Sequence, residues 1–119
     1  MRPDLKRLPA RFYRSDSGRE PVREWLKSLD AADRRIIGED IKDVEFSWPM
    51  GMPLVRSLGR DLWEVRSRLP HGRVARVLFC VERDCMVLLH GFMKKTQKTQ
   101  KTRKQDIDLA IKRKKGPGA

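Results

Sequence analysis

The stretch Asp61–Lys95 constrains the fold more than any other part of the chain. It contains three runs rich in Val, Leu, Trp and Phe, which cover 62–69, 73–81 and 85–92 and are separated by two short breaks. The first run alternates as in a strand with one buried face, with Trp63, Val65 and Leu69 on one side and Glu64, Arg66 and Arg68 on the other. The second run has apolar side chains on both sides, and Arg76 lies on the same side as Val74, Leu78 and Cys80. The third run is apolar at nearly every position, as expected of an interior strand. The stretch therefore predicts an antiparallel meander.

Matching of apolar side chains predicts the register, because a slip of one residue turns every side chain to the other face. A three-residue first loop, 70–72, places Arg66 opposite Arg76. A three-residue second loop, 82–84, then places Arg76 opposite His90. These three residues would form a row across one sheet face, and its two arginines would repel unless an anion lies over them. Taken singly, these residues favour a plainer interpretation, in which Arg66 and Arg68 belong to the solvated edge of a strand and His90 is a satisfied core residue.

The rest of the chain surrounds this meander with helices. The segment 10–15 is short and aromatic and predicts a first strand, whereas 17–29 and 30–46 carry apolar residues at helical spacing. The segment 54–58 is a further short strand candidate, and 105–115 predicts a weakly amphipathic helix. We therefore expect an α+β fold in the order β-α-α-β-β-β-α, with an antiparallel sheet and an N-terminal helical hairpin packed on one face.

Charge is concentrated at one end of what we expect to be a single domain, 1–119. The net charge is +12, and residues 94–115 contribute eight of these excess charges, so 94–119 forms a basic tail. Such a tail favours a polyanionic partner, with nucleic acid as the leading candidate. No apolar run approaches the roughly 20 residues that span a bilayer, so we expect a cytoplasmic protein without membrane contact. Cys80 and Cys85 are interpreted as packing residues, and no residue pattern predicts a metal site or a cofactor.

Several segments of the sequence resemble one family. They are LWEVR at 62–66, RVLF at 76–79, LLHGFMKKTQKT at 88–99 and Asp-Ile-Asp at 106–108. Together with the order of elements, they resemble the RelE/HigB toxin superfamily in its phage-derived branch, over about residues 10 to 115. The resemblance implies a RelE-like fold and the toxin of a type II toxin–antitoxin pair. Such toxins are endoribonucleases that cut mRNA, typically on the ribosome, and are neutralised by a cognate antitoxin that usually carries a helix-turn-helix domain.

Metal-independent RNA cleavage needs a group that takes the 2′-OH proton, cations for the phosphorane and an acid for the leaving oxygen. The candidate catalytic residues are Arg66, Arg76, His90, Lys94 and Lys95. The candidate RNA-binding residues are Arg68, Arg73, Lys98 and Lys101. Within the first set, the arginines would clamp the phosphate, and a histidine or a lysine of lowered pKa would move the proton.

Two alternatives from other classes fit the same sequence. The chain could be a nucleic-acid-binding module without catalysis, because a basic tail alone would grip phosphates. It could also be an inactive phage-derived relative. The tyrosine near the C-terminus that some relatives use has no counterpart, since the single tyrosine, Tyr13, lies in the first predicted strand.

Overall fold

A computed structural model describes residues 5–94 and 101–115 and has a mixed α+β fold, with a five-stranded sheet and three α-helices. The elements in chain order are β1 (Ala10–Phe12), α1 (Pro21–Lys27), α2 (Ala31–Ser47), β2 (Val55–Gly59), β3 (Leu62–Arg68), β4 (Val74–Glu82), β5 (Cys85–Lys94) and α3 (Lys104–Lys114). A short 3-10 turn, Pro70–Gly72, joins β3 to β4. The predicted α+β class is confirmed.

The sheet is mixed, with the strand order β1-β5-β4-β3-β2. Strands β2 to β5 form an antiparallel meander, but β1 pairs in parallel with β5, through Ala10 with Met86 and Phe12 with Leu88. The prediction of an entirely antiparallel sheet was therefore wrong. The predicted order also lacked one strand, because the candidate segment 54–58 does form a strand, β2, which pairs with β3 at the sheet edge with a register shift between Ser57 and Gly59.

The first half of the predicted register is confirmed, and the second half was wrong. Arg66 lies opposite Arg76, and the amide of Leu69 donates to the carbonyl of Arg73 across the predicted three-residue loop. The second loop has two residues rather than three, because Glu82 pairs with Cys85. Both residues of that turn have positive φ, which is the geometry of a tight hairpin turn.

A bulge in β5 then restores the predicted faces. Leu78 lies opposite His90 and Phe79 opposite Leu88, so Leu89 is an extra residue in the ladder. As a result His90 shares a face with Arg76, as predicted, but Arg76 pairs with Phe92 instead of His90. In the predicted row, Arg66 and Arg76 are therefore in place, whereas His90 lies one cross-strand pair away from them.

One sheet face is covered by α1 and α2. The buried cluster on this side includes Val22 of α1, Ile37 and Val44 of α2, and Val65 and Val77 of the sheet. Each helix makes its main contacts with strands, α1 with β5 and α2 with β3, so the close pairing implied by a helical hairpin is not confirmed.

The third helix lies on the sheet face opposite to the one that α1 and α2 cover. Ala110 of α3 is buried in a second cluster with Leu62, Leu78 and Leu89, because this face is also apolar at one end. In the described part of the chain, none of the helices has the length and apolar character needed to cross a bilayer.

Candidate nucleic-acid interface

The sheet face that carries α3 is divided into an apolar end and a charged end. Along β3 and β4, the apolar end presents Leu62 and Leu78, which α3 covers. The other end presents Arg66 and Arg76, which are direct cross-strand neighbours. The helix α3 covers the apolar end, whereas the segment that leads into α3 reaches the charged end through Thr102.

The charged end, here called the cationic face, consists of Arg56, Arg66, Arg76 and Lys94. These side chains share a face because of their pairing. Arg56 lies opposite Glu64 on β3, and Lys94 lies opposite Val74 on β4. Four cations from four adjacent strands thus lie on one side of the sheet. Arg76 is buried, whereas Arg56, Arg66 and Lys94 are partly exposed and form a surface suited to a polyanion.

A buried carboxylate lies within this face. The Glu64 side chain is fully buried, and its Oε1 lies 3.5 Å from Nη1 of Arg76 and 3.9 Å from Nε of Arg66. Glu64 therefore supplies part of the negative charge that a cross-strand arginine pair requires. A net positive charge still faces outward, because one carboxylate lies among several cations.

Arg76 is held beneath the segment that leads into α3. Only 1% of the residue is exposed, and Nη1 donates to Oγ1 of Thr102 at 2.8 Å. The Thr102 hydroxyl in turn donates to Oε2 of Glu64 at 2.6 Å. Burial lowers the pKa of the Arg76 guanidinium, although an arginine stays charged at neutral pH. In this arrangement a phosphate reaches Arg76 directly only if Thr102 is displaced.

Lys94 lies at the end of β5 and is partly exposed. Its Nζ donates to the carbonyl oxygen of Lys101 at 2.8 Å. Partial burial, followed by the nearby charge of Arg76, lowers the pKa of the Lys94 amine. A lowered pKa makes the neutral amine more accessible near pH 7 and therefore suits proton transfer.

His90 contacts α3 instead of the arginines. Its Nε2 lies 2.8 Å from Oδ1 of Asp106, and the side chain is 16% exposed. An ionised carboxylate only accepts hydrogen bonds, so this contact requires a proton on Nε2. The second oxygen of Asp106 accepts from Nε of Arg103 at 2.8 Å. Asp106 thus fixes the orientation of the His90 ring, which is how carboxylates commonly position catalytic histidines.

The described RNA-binding candidates fall into two places. Arg68 pairs with Val74, which also pairs with Lys94, and the carbonyl oxygen of Lys101 accepts from Nζ of Lys94, whereas Arg73 is directed to α2. Arg68 is exposed at the end of β3, and Lys101 is exposed before α3. Arg73 forms a bidentate pair with Asp33 of α2, at 2.6 and 3.0 Å, and fastens the β3–β4 turn to that helix. This hydrogen-bonded pair holds the pKa of Asp33 below its usual value. Lys95 and Lys98 lie outside the described residues.

Sequence reasoning missed four residues of this region: Arg56, Glu64, Thr102 and Asp106. The segment 54–58 was a strand candidate without a predicted register, and Arg56 joins the predicted arginines because it pairs with Glu64 of β3. The alternation in the first run placed Glu64 on the correct face but gave no sign of its burial, which involves the contact with Thr102. Nothing in the sequence indicates that Thr102 is buried, since it follows a polar connector. In residues 5–94 and 101–115, no group of three His, Cys, Asp or Glu side chains is arranged to hold a metal ion.

The fold and this face define a class, namely a small, strongly basic α+β domain with a cationic sheet surface beside a carboxylate-held histidine. Residues 24–115 match the family described as phage-derived protein Gp49-like (DUF891), a match that runs from within α1 to the end of α3. The chain belongs to this Gp49-like phage-derived family. No curated protein matched the sequence.

Proposed function

We propose that the protein is the toxin of a type II toxin–antitoxin pair, related to the RelE/HigB superfamily, and that it cleaves mRNA on the ribosome without a metal ion. Membership of the Gp49-like phage-derived family is consistent with a toxin-like role. The single observation that carries the proposal is the cationic face, in which Arg66 and Arg76 are cross-strand neighbours and Lys94 extends the charge along β5. Such a face suits the doubly charged phosphorane of RNA cleavage.

The proposed mechanism assigns phosphate contact to the more accessible cations. Arg66 and Lys94 would contact the scissile phosphate, while Arg76 would support them from beneath Thr102. If the His90 imidazole takes the proton of the 2′-OH, Lys94 stays charged and contacts the phosphate. If the neutral Lys94 amine takes that proton, Arg66 alone makes the phosphate contact. Attack of the 2′ oxygen on phosphorus would then give a 2′,3′-cyclic phosphate and release the 5′ oxygen, which takes a proton from the other group.

The test is induction in cells, followed by growth measurement and primer extension on transcripts. Wild type should arrest growth and produce cleaved mRNA, and Arg66→Ala combined with Arg76→Ala should do neither. Because Arg76→Ala leaves Glu64 buried without its main cation, Arg66→Gln and Lys94→Gln are also needed, with circular dichroism to verify folding. Arg35→Gln, on α2, is the matched control that should retain toxicity. An unchanged cleavage pattern in folded Arg66→Gln and Lys94→Gln would refute the site assignment.

Two further arms test the biological setting. If the ribosome presents the mRNA, blocking translation should abolish cleavage, and primer extension on the transcripts would show this loss. An adjacent reading frame that encodes a small helix-turn-helix protein would supply the proposed antitoxin, and its co-expression should restore growth. The acidic or apolar segment of such an antitoxin would complement the basic surface.

A second candidate function is a nucleic-acid-binding module without catalysis. The observation that favours it is the burial of Arg76 beneath Thr102, which occupies a donor that a phosphate clamp would use. Purified protein distinguishes the two. Binding of RNA with no cleavage product, either alone or with translating ribosomes, would support the module.

A further inference from the structure

Three flat side chains lie against one another where α3 meets β5. The rings of His90 and Phe92 are stacked, with 5.3 Å between centroids and 24° between planes. The guanidinium carbon of Arg103 lies 5.9 Å from the centroid of the Phe92 ring. Arg103 is more exposed than His90, since 61% of its side chain is accessible against 16% for His90.

The orientation of Arg103 is fixed despite this exposure. Its Nε donates to Oδ2 of Asp106 at 2.8 Å, and Asp106 is itself buried. Contact with the Phe92 ring adds a second restraint through the attraction between a cation and an aromatic face. The Arg103 guanidinium is thus held by Asp106 and Phe92, although most of the side chain is exposed. Because its orientation is already restrained, stacking a nucleobase on it costs less conformational entropy.

The position of this arrangement relates it to the cationic face. Phe92 pairs with Arg76 across the β4–β5 ladder, and Lys94 lies two residues further along the same face of β5. Proteins that bind single-stranded RNA commonly place a stacking side chain beside the cations that track the backbone, because each nucleotide has both a base and a phosphate.

We propose that Arg103, supported by Phe92, forms a stacking site for one base of a single-stranded RNA whose backbone lies along Lys94. This inference rests on the proposed function, because it takes RNA as the ligand of the cationic face. The contact with Asp106 favours stacking over phosphate binding at Arg103, since the carboxylate offsets the charge of the guanidinium but leaves its plane intact.

The experiment uses full-length protein and a short single-stranded RNA that contains 2-aminopurine, whose fluorescence falls when the base is stacked. Methylation of every 2′ oxygen prevents cleavage, and a set of oligonucleotides moves the probe base through each position. Wild type should quench the fluorescence at one or two positions. Arg103→Lys keeps the charge but removes the planar group, so it should abolish that quenching and weaken binding about tenfold.

Phe92→Leu should give a smaller loss of quenching, because Arg103 keeps Asp106 as a partner. Arg35→Lys is the control, since that arginine lies on α2, and it should behave as wild type. Binding without quenching at any position, or unaltered quenching in Arg103→Lys, would overturn the stacking site. Failure of wild type to bind the oligonucleotides would also overturn it. Transcript cleavage after induction measures the proposed function separately, so the two ideas can fail independently.

Discussion

One residue without a side chain allows α1 to approach the sheet closely. A Cβ built on Gly91 of β5 would come within 3.0 Å of three ring carbons of Trp25 in α1, which is closer than real Cβ contacts. The large Trp25 ring therefore packs over the backbone of β5 at the one position where no side chain intervenes. The bulge at Leu89 helps to set this contact, because it determines the face to which each later residue of β5 points.

We predict that Gly91→Ala destabilises the protein by about 1–3 kcal/mol, because the added methyl group must displace the Trp25 ring or the strand. Chemical denaturation followed by tryptophan fluorescence would measure the change. Gly38→Ala is the matched control, since Gly38 lies inside α2 and a Cβ there meets nothing within 4 Å. This control should stabilise the protein by about 0.5–1 kcal/mol. Equal effects of the two substitutions would contradict the packing argument.

For Glu64, the sequence predicted the sheet face but not the burial of the side chain. Alternation along β3 correctly placed it with Arg66 on the face opposite Trp63. Its complete burial was not predictable from that pattern, because a glutamate beside arginines is usually a solvated partner. Burial follows from tertiary structure, since Thr102 reaches Glu64 from 38 residues further along the chain.

At the scale of elements, polar contacts attach both ends of α3 to the sheet. Before its first turn, Thr102 contacts Glu64 and Arg76, and within that turn Asp106 contacts His90. At the other end, Nη1 of Arg113 donates to the carbonyl oxygen of Leu89 at 2.8 Å. Since one end of α3 borders the candidate site, its attachment affects both stability and the geometry of the cations.

We predict that Thr102→Val destabilises the protein by about 1–3 kcal/mol, because it leaves buried polar groups of Glu64 and Arg76 without the hydroxyl between them. Hydrogen exchange should accelerate most in the first turns of α3, with a smaller effect near Arg113. Thr102→Ser retains the hydroxyl and should stay within about 1 kcal/mol of wild type. Unchanged exchange in α3 of the valine variant would show that this network does not hold the helix.

The meander was largely predictable because its apolar alternation is strong, whereas its second hairpin was not. The tight turn at Arg83 and Asp84 has φ values of 51° and 61°, a conformation that arginine rarely adopts, so the sequence favoured a longer loop. The bulge at Leu89 has no glycine or proline to mark it, because Leu89 is one apolar residue within an apolar run. The shorter loop shifts the register of β5 by one residue, and the bulge at Leu89 shifts it by one more. Because two shifts of one residue return a side chain to its original face, His90 still lies on the predicted face.

The direction of β1 and the side occupied by α3 required knowledge of the whole molecule. A three-residue strand carries no information about whether its partner runs parallel, and the long connection through α1 and α2 permits the parallel arrangement. The apolar residues of α3 indicate that the helix packs on something, but not on which sheet face. The open apolar area around Leu62 and Leu78 determines that side.

In the molecule as a whole, the helices that cover the two sheet faces place the main apolar core on one face and the cationic face at one end of the other. The layer formed by α1 and α2 covers one face along its apolar cluster, whereas α3 covers the apolar end of the other. Arg56, Arg66, Arg76 and Lys94 lie on the face opposite α1 and α2, so these cations are kept out of the apolar cluster that those helices cover. Within residues 5–94 and 101–115, Glu64 is the one buried carboxylate that contacts the arginine pair of the cationic face, in a chain with a net charge of +12.

The charge distribution gives a quantitative prediction for RNA binding. Each phosphate contact by a cation releases condensed counterions, so the logarithm of the binding constant falls with the logarithm of salt concentration by about 0.7 per contact for a single strand. Arg66→Gln and Lys94→Gln should each reduce the slope by about this amount and weaken binding at low salt. Fluorescence anisotropy with a labelled single-stranded RNA over a range of salt concentrations would measure both quantities.

Arg35→Gln has the same change in net charge but lies on α2, so its slope should equal that of wild type. If all three substitutions reduced the slope equally, RNA would be attracted by the net charge of the molecule rather than held at the cationic face. Arg103→Lys should leave the slope unchanged, because it removes a plane and not a charge. The combination of a constant slope with weaker binding in that variant would separate base stacking from phosphate contact on the same surface.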